Sequence, residues 1–200
     1  MSVNLQAKWD EIYRHQTAVP IAAQVLREHL FLLPKQGRAL DLACGAGANA
    51  LLLAEAGLKV DAWDISAVAL QFLQQQAAIR ELDIHVHVHQ ANISAAILPV
   101  DCYDVIVISR FLDRTLCNAI MVALKAAGLL FYQTFTCNKL DPQGPSRPDY
   151  LLASNELLRL FAPLSLVFYQ EHARIGNLQY GDRNEACFIG QKPSAEQITI

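Results

Sequence analysis

The sequence predicts an α/β fold: a doubly wound, Rossmann-like, seven-stranded and mostly parallel sheet with an antiparallel final strand and helices on both faces. Three observations predict it. Short apolar or β-branched runs alternate with helix-length stretches between Arg38 and Phe135, the pattern of repeated βαβ units. The first run breaks at Leu42 into Ala43-Cys44-Gly45-Ala46-Gly47, a two-glycine turn leading into a helical pattern. The last quarter replaces the alternation with two strand-like runs around a Gly/Asn/Asp-rich loop, which reads as a hairpin and therefore supplies an antiparallel strand.

The elements follow in order. Residues 5–16 form a short helix and residues 20–32 a second, before the turn Pro34-Lys35-Gln36-Gly37. Strand one takes residues 38–42, and its helix takes 48–56 with Gly57 at the C-cap. Strand two takes 59–63, after which Ser66 caps a helix running to Glu81. Strand three takes 85–89. Strand four, 105–109, is almost entirely β-branched, as suits a strand covered on both faces. A helix over 116–126 stops at Gly128, strand five is 129–135, and a helix covers 154–161. The hairpin strands are 165–172 and 185–191. Residues 1–192 make one domain with 1–33 as an N-terminal helical lid region, and 193–200 form a flexible tail.

Composition narrows the partners. Fifty-three per cent hydrophobic residues in a 200-residue chain argue for a packed core and against disorder. A net charge of −3 without a long Lys/Arg run predicts no nucleic-acid partner. No uncharged apolar run is long enough to span a bilayer, and the polar start of the chain does not read as a signal peptide, so a cytoplasmic protein with no membrane partner is expected. The five cysteines lack a CxxC pair and read as reduced thiols. Asn92-Ile93-Ser94 fits a glycosylation sequon, a coincidence in that compartment. A monomer or homodimer is expected.

The glycine turn is the chemical centre. Gly45 and Gly47 can take positive φ and let a ligand approach the backbone. Asp64, seventeen residues after Gly47, ends the second strand where a carboxylate can accept hydrogen bonds from a ribose diol. Gly45, Gly47 and Ala50 also satisfy a loose dinucleotide fingerprint, which keeps a nicotinamide-type oxidoreductase open. Asp41 shifts the balance, because a carboxylate beside the loop repels pyrophosphate and suits a ligand bearing an ammonium group; its alternative role is to tie the loop to the following helix. For Asp64 the alternative is an N-cap, which Ser66 could equally provide.

The stretch Leu40-Asp41-Leu42-Ala43-Cys44-Gly45-Ala46-Gly47 resembles motif I of class I S-adenosylmethionine-dependent methyltransferases, and the overall character is closest to small-molecule members of the tellurite-resistance type. The resemblance implies S-adenosylmethionine as cofactor and the same seven-stranded fold. It implies main-chain contacts from Ala43 and Gly45 to the cofactor's amino-acid end, with Asp41 orienting water or the ammonium group. It also places Ile65 beside the adenine and Asn92-Ile93 where the family often has an acid that accepts from the adenine amino group. Ser109 takes the motif IV position beside the methyl group; Asn-Pro-Pro-Tyr is absent there, which disfavours adenine-N6 or glutamine-amide acceptors. Trp9-Asp10-x-x-Tyr13 resembles an N-terminal motif whose helix folds over the cofactor, which makes Tyr13 a cofactor-binding candidate.

No sequence motif marks a general base. Topology brings the loops after strands four, five and six to the same edge, so Arg110, Arg147, Tyr150, His172, Arg174 and Arg183 surround the expected substrate mouth. Arg110 and His172 are the catalytic candidates, and the cation excess suits a small anionic or chalcogen-containing acceptor. His85, His87 and His89 share one strand face about 7 Å apart, which reads as a polar edge and not a metal site. A non-catalytic S-adenosylmethionine-binding regulator is the third reading.

Overall fold

The computed structural model describes residues 2–194. A seven-stranded sheet organises it, with strand order β3-β2-β1-β4-β5-β7-β6. The strands are β1 (Arg38–Leu42), β2 (Lys59–Asp64), β3 (Val86–Gln90), β4 (Tyr103–Ser109), β5 (Leu124–Phe135), β6 (Ser165–Gln170) and β7 (Glu185–Gln191). The first five are parallel, and β7 runs antiparallel to both β5 and β6. Strand order reverses between β1 and β4, so the crevice of this α/β sheet opens above Leu42 and Ser109.

Helices α1 (Ser2–Tyr13), α2 (Gln24–Arg27), α3 (Ala48–Glu55), α4 (Ala67–Ile79), α5 (Cys117–Ala123) and α6 (Glu156–Leu160) complete the layers. Strand alternation explains why both faces are covered. On β4, Val105 and Val107 join one core with Leu51, Leu70 and Leu73 from α3 and α4, while Ile106 and Ile108 join a second with Ile120, Leu157 and Phe161. Truncating one of these fully buried side chains to alanine costs about 2–5 kcal/mol.

Several expected bounds need correction, beginning with the first helix, which runs Ser2–Tyr13 and not 5–16. The helix predicted over residues 20–32 is limited to Gln24–Arg27 and a 3₁₀ turn at Leu30–Leu32. Residues 20–23 cannot join it because the Ala23 N–H is taken by the Asn49 side chain at 2.9 Å and Ala23 is extended (ψ 136°). The helix predicted to reach Ala126 ends at Ala123, because Leu124 already pairs with Tyr103 in the sheet; residues 125–128 then bulge before Leu129 pairs with Val105. Gly128 lies so close to the carbonyl oxygens of Lys125 and Tyr103 that a Cβ would meet them at 2.9 and 3.0 Å. Finally, β3 starts one residue late, so His85 precedes the strand. His87 and His89 lie on its exposed side, with His89 tilted against the Trp63 ring at 5.6 Å. Among the described residues, no group of His, Cys, Asp or Glu is arranged to hold a metal ion, and no helix is long and apolar enough to cross a membrane. Residues 195–200 of the expected tail lie outside the described residues.

Candidate functional site

The turn after β1 is built on positive φ. Ala43 (58°), Gly45 (52°) and Gly47 (79°) reverse the chain between Leu42 and α3. Arg110, the residue after β4, has φ 53°, so both strands at the switch point end in a non-glycine residue held in the left-handed region. Such a conformation costs on the order of 1 kcal/mol or more, and it persists where neighbours over-determine it. Here the Arg110 N–H is held by the Gln133 carbonyl at 2.8 Å and the Cys44 N–H by the Trp63 carbonyl at 3.0 Å.

Asp41 is completely buried. Its Oδ2 accepts from the Ala50 N–H at 2.9 Å and its Oδ1 from Asn49 Nδ2 at 3.5 Å, so the carboxylate ties the turn to the first residues of α3. That is the alternative role weighed from the sequence, and burial pushes its pKa up from 3.8 to about 7. Asp64 sits across the turn. Its Oδ2 accepts from the Gly45 N–H and its Oδ1 from the Ser66 N–H, both at 2.8 Å, and burial raises its pKa as well. Ser66, not Asp64, caps α4 by accepting from the Ala69 N–H at 3.1 Å. Two bonds do not exhaust a carboxylate, which offers about four lone-pair sites. The segment after β3 is registered on this acid, since the Ala91 N–H donates to the Asp64 carbonyl at 2.9 Å; this places exposed Asn92 and half-buried Ile93 beside half-buried Ile65.

Helix α1 crosses above. Asp10 Oδ1 accepts from Ser66 Oγ at 2.7 Å and from the Val68 N–H at 3.3 Å, which seats α1 on the start of α4. The Tyr13 hydroxyl then lies directly over Gly45, where a Cβ would overlap it. Burial, together with the charges of Asp64, Cys44 and Asp41, raises the phenol pKa, so it remains a neutral donor.

Asn49 joins what the sequence left separate. Its Nδ2 donates to Ser109 Oγ at 3.0 Å and its Oδ1 accepts from the Ala23 N–H, so one side chain links α3, the end of β4 and the N-terminal segment. Beside it opens a cavity of about 400 Å³ lined by Pro20, Ala23, Arg27, Ser109, Arg110 and Glu185, among others. Sequence reasoning missed Asn49 and Glu185. The only available signal for Asn49 was a poor helix former in the first helical turn after the glycines.

The expected ring of cations is largely engaged. Arg114, which the expected set did not include, pairs with Glu156 at 2.7 Å and also donates to the Asp149 and Leu151 carbonyls. Arg147 pairs with Asp149 at 2.9 Å, and Arg174 donates to the Lys139 carbonyl. Arg183 donates to the carbonyls of Ile175, Asn177 and Tyr180 at 2.6–2.7 Å, holding its own loop. Arg110 pairs with buried Glu185 at 2.7 Å while remaining mostly exposed itself. Tyr150 is exposed under the Arg147 guanidinium. His172 bonds through Nδ1 to the Asp182 carbonyl at 3.2 Å and does not line the cavity that Arg110 and Ser109 share. The structure therefore brings Ser109 and Arg110 together and leaves His172 outside their cavity.

A doubly wound sheet with a glycine corner between two buried acids defines a Rossmann-like class of cofactor-binding α/β proteins. More narrowly, residues 9–187 match the family model described as "Tellurite resistance protein TehB", and the chain belongs to that family. The crystal structure of TehB from Haemophilus influenzae is 22% identical with a TM-score of 0.69, over 92% of this chain and 67% of that one. Geranyl diphosphate C-methyltransferase from Streptomyces coelicolor A3(2), solved with Mg²⁺, geranyl diphosphate and S-adenosyl-L-homocysteine, is 15% identical with a TM-score of 0.64, over 84% of this chain and 75% of that one. At these identities the likeness is one of fold. YqeM of Bacillus subtilis (strain 168), which carries a methyltransferase name, is 48% identical over 46 residues, 23% of this chain. The match spans about a fifth (19%) of YqeM.

Proposed function

We propose that this chain is an S-adenosylmethionine-dependent methyltransferase acting on a small molecule. One observation carries the choice of cofactor: buried acids, Asp41 and Asp64, flank a positive-φ glycine turn, and residues 41–50 contain no Lys or Arg. Acidic acceptors without a neighbouring cation oppose a pyrophosphate, and the Asp64 carboxylate, with lone pairs to spare, suits a ribose diol. The residues present fit the cofactor. Ala43, Gly45 and Gly47 would offer backbone to its amino-acid end, with Asp41 holding the turn in shape. Asp64 would accept from the ribose hydroxyls, while Ile65, Asn92 and Ile93 would frame the adenine and Ser109 the methyl-bearing side. Tyr13 would serve as a roof, with α1 swinging off Gly45 to admit the cofactor and returning over it.

When bound, the cofactor supplies an activated methyl group and its own leaving group. The protein's part is alignment and exclusion of water. The acceptor would enter the cavity between residues 20–24 and the β4 end, where Arg110 orients it. Arg27 and Arg110 line that cavity together with the acids Asp182 and Glu185, so its charges balance, and the mostly exposed Arg110 guanidinium would take at most one anionic group of the acceptor. His172, outside the cavity, would act on the acceptor only after the 172–183 loop closed. A cytoplasmic location, with neither membrane nor nucleic acid as partner, accords with the composition.

Calorimetry with S-adenosylhomocysteine and NADH tests the cofactor. Micromolar binding of the first and none of the second is expected; the reverse outcome removes the proposal. Incubating cell extracts with protein and isotopically methyl-labelled cofactor, followed by mass spectrometry, identifies the acceptor. Cofactor binding without any labelled product would favour the regulator.

A further inference from the structure

The cavity beside the β1/β4 crevice has two walls that are far apart in sequence: the extended segment before α2, and Arg110 after β4. A buried polar chain connects them. The Val25 N–H donates to Gln133 Oε1 at 2.9 Å, Gln133 Nε2 donates to Glu185 Oε2 at 2.6 Å, and Arg110 Nε donates to Glu185 Oε1 at 2.7 Å. Gln133 and Glu185 are each 4% exposed. Gln133 also accepts the Arg110 N–H through its own carbonyl, so one residue of β5 fixes both the backbone and, through Glu185, the side chain of Arg110.

We propose that Gln133 and Glu185 are positioning residues that set both walls of the acceptor cavity together, so that Arg110 presents its outer guanidinium nitrogens only while the segment ending at Val25 is seated. The argument rests on donor and acceptor parity. Val25 offers a donor at one end and Arg110 a donor at the other. Between them the Gln133 amide has one consistent orientation, oxygen toward Val25 and nitrogen toward β7. That orientation requires an acceptor at both oxygens of residue 185, which a carboxylate provides and an amide does not. Were Glu185 an amide, its nitrogen would face either Arg110 Nε or Gln133 Nε2. The first choice breaks the Arg110 end; the second forces Gln133 to turn and leaves two donors facing each other at Val25. The chain transmits because its middle cannot be satisfied any other way. This inference deepens the proposed function and rests on the cavity being where the acceptor enters.

The test compares the wild-type chain with Glu185→Gln and Gln133→Met. Its readouts are hydrogen exchange at the Val25 amide and the ¹⁵N–¹H resonance of Arg110 Nε, with S-adenosylhomocysteine affinity and melting temperature measured alongside. Gln133→Met should accelerate Val25 exchange about tenfold or more and shift the Arg110 resonance although Arg110 keeps its carboxylate partner. Glu185→Gln should either move the Arg110 signal to the position of a solvent-exposed guanidinium or accelerate Val25 exchange to the same degree. The relay is overturned if Gln133→Met changes Val25 exchange alone, or if Glu185→Gln leaves both signals in place. If a variant fails to fold, the exchange of Val25 relative to Leu26 in the wild-type chain decides. Leu26 donates to the Ala23 carbonyl and Val25 to Gln133, so protection of Val25 far below that of Leu26 would show that the side-chain acceptor adds nothing and would overturn the coupling; equal or slower exchange at Val25 supports it. Loss of S-adenosylhomocysteine binding by the wild-type chain would instead strike the methyltransferase reading and leave the exchange result standing.

Discussion

Tyr13 and Gly45 meet across the open side of the β1 turn, with the phenol hydroxyl in the space a Cβ at residue 45 would need. Gly45 has φ 52°, a conformation that the neighbouring Ala43 also adopts, so sterics against Tyr13 constrain this position more tightly than the backbone does. Gly45→Ala is expected to destabilise the fold by about 1–3 kcal/mol and to weaken S-adenosylhomocysteine binding at least tenfold. Adding Tyr13→Ala should recover most of the stability, as read in urea unfolding. Strictly additive losses in the double variant would show that the two residues do not compete for this space.

Asp41 predicts a pH dependence of opposite sign to that of an ordinary ion-paired acid. Its folded pKa, about 7, lies above the ordinary 3.8 because burial disfavours the charged form. The native state therefore holds a proton that the unfolded chain releases, and the contribution to stability is present below about pH 4 and lost as pH rises to 7. Asp41→Asn has no such titration. Urea unfolding between pH 4.5 and 8 should show the variant gaining on the wild type up to pH 7 and then running parallel. A constant difference across the range would contradict a raised Asp41 pKa.

Asn49 holds three partners from three parts of the chain. Asn49→Ala leaves the Ala23 N–H, Ser109 and Asp41 without it and should cost about 1–3 kcal/mol, with only a slight rise as Asp41 ionises without its donor. Asn49→Asp keeps an acceptor for Ala23 but brings a second carboxylate against Asp41, so its cost should grow between pH 5 and 8. Denaturant titrations at those two pH values separate the two behaviours; equal costs would mean that Asp41 and residue 49 do not interact.

Arg183 tests whether the mouth arginines serve substrate or loop. Three of its nitrogens donate to carbonyls of residues 175, 177 and 180. Arg183→Gln is expected to speed limited proteolysis within residues 172–183 several-fold while leaving S-adenosylhomocysteine affinity and melting temperature nearly unchanged. Unchanged proteolysis would mean that the loop does not depend on this guanidinium.

Much of this molecule could be read along the chain. The five parallel strands, the Ser66 cap, the terminal hairpin and the turn at Gly45 and Gly47 each depend on residues within one or two turns of one another, where periodicity, caps and positive φ leave a direct mark. The helix limits at residues 20–23 and 124–126 are not legible locally because distant residues set them: Asn49 takes the Ala23 N–H, and Leu124, whose own N–H still donates to the Ile120 carbonyl, turns extended to pair with Tyr103.

The sequence by itself determined the sheet, its switch point and the pair of acids bracketing a glycine corner, because each is written in local pattern. The tertiary structure alone decided what those charges do. It buried Asp41 against α3, drew Glu185 under Arg110 through Gln133, and spent most of the mouth arginines on carbonyls and carboxylates nearby. A hydrogen-bond partner or a desolvated charge is a property of which distant residues meet, and only the folded chain specifies that.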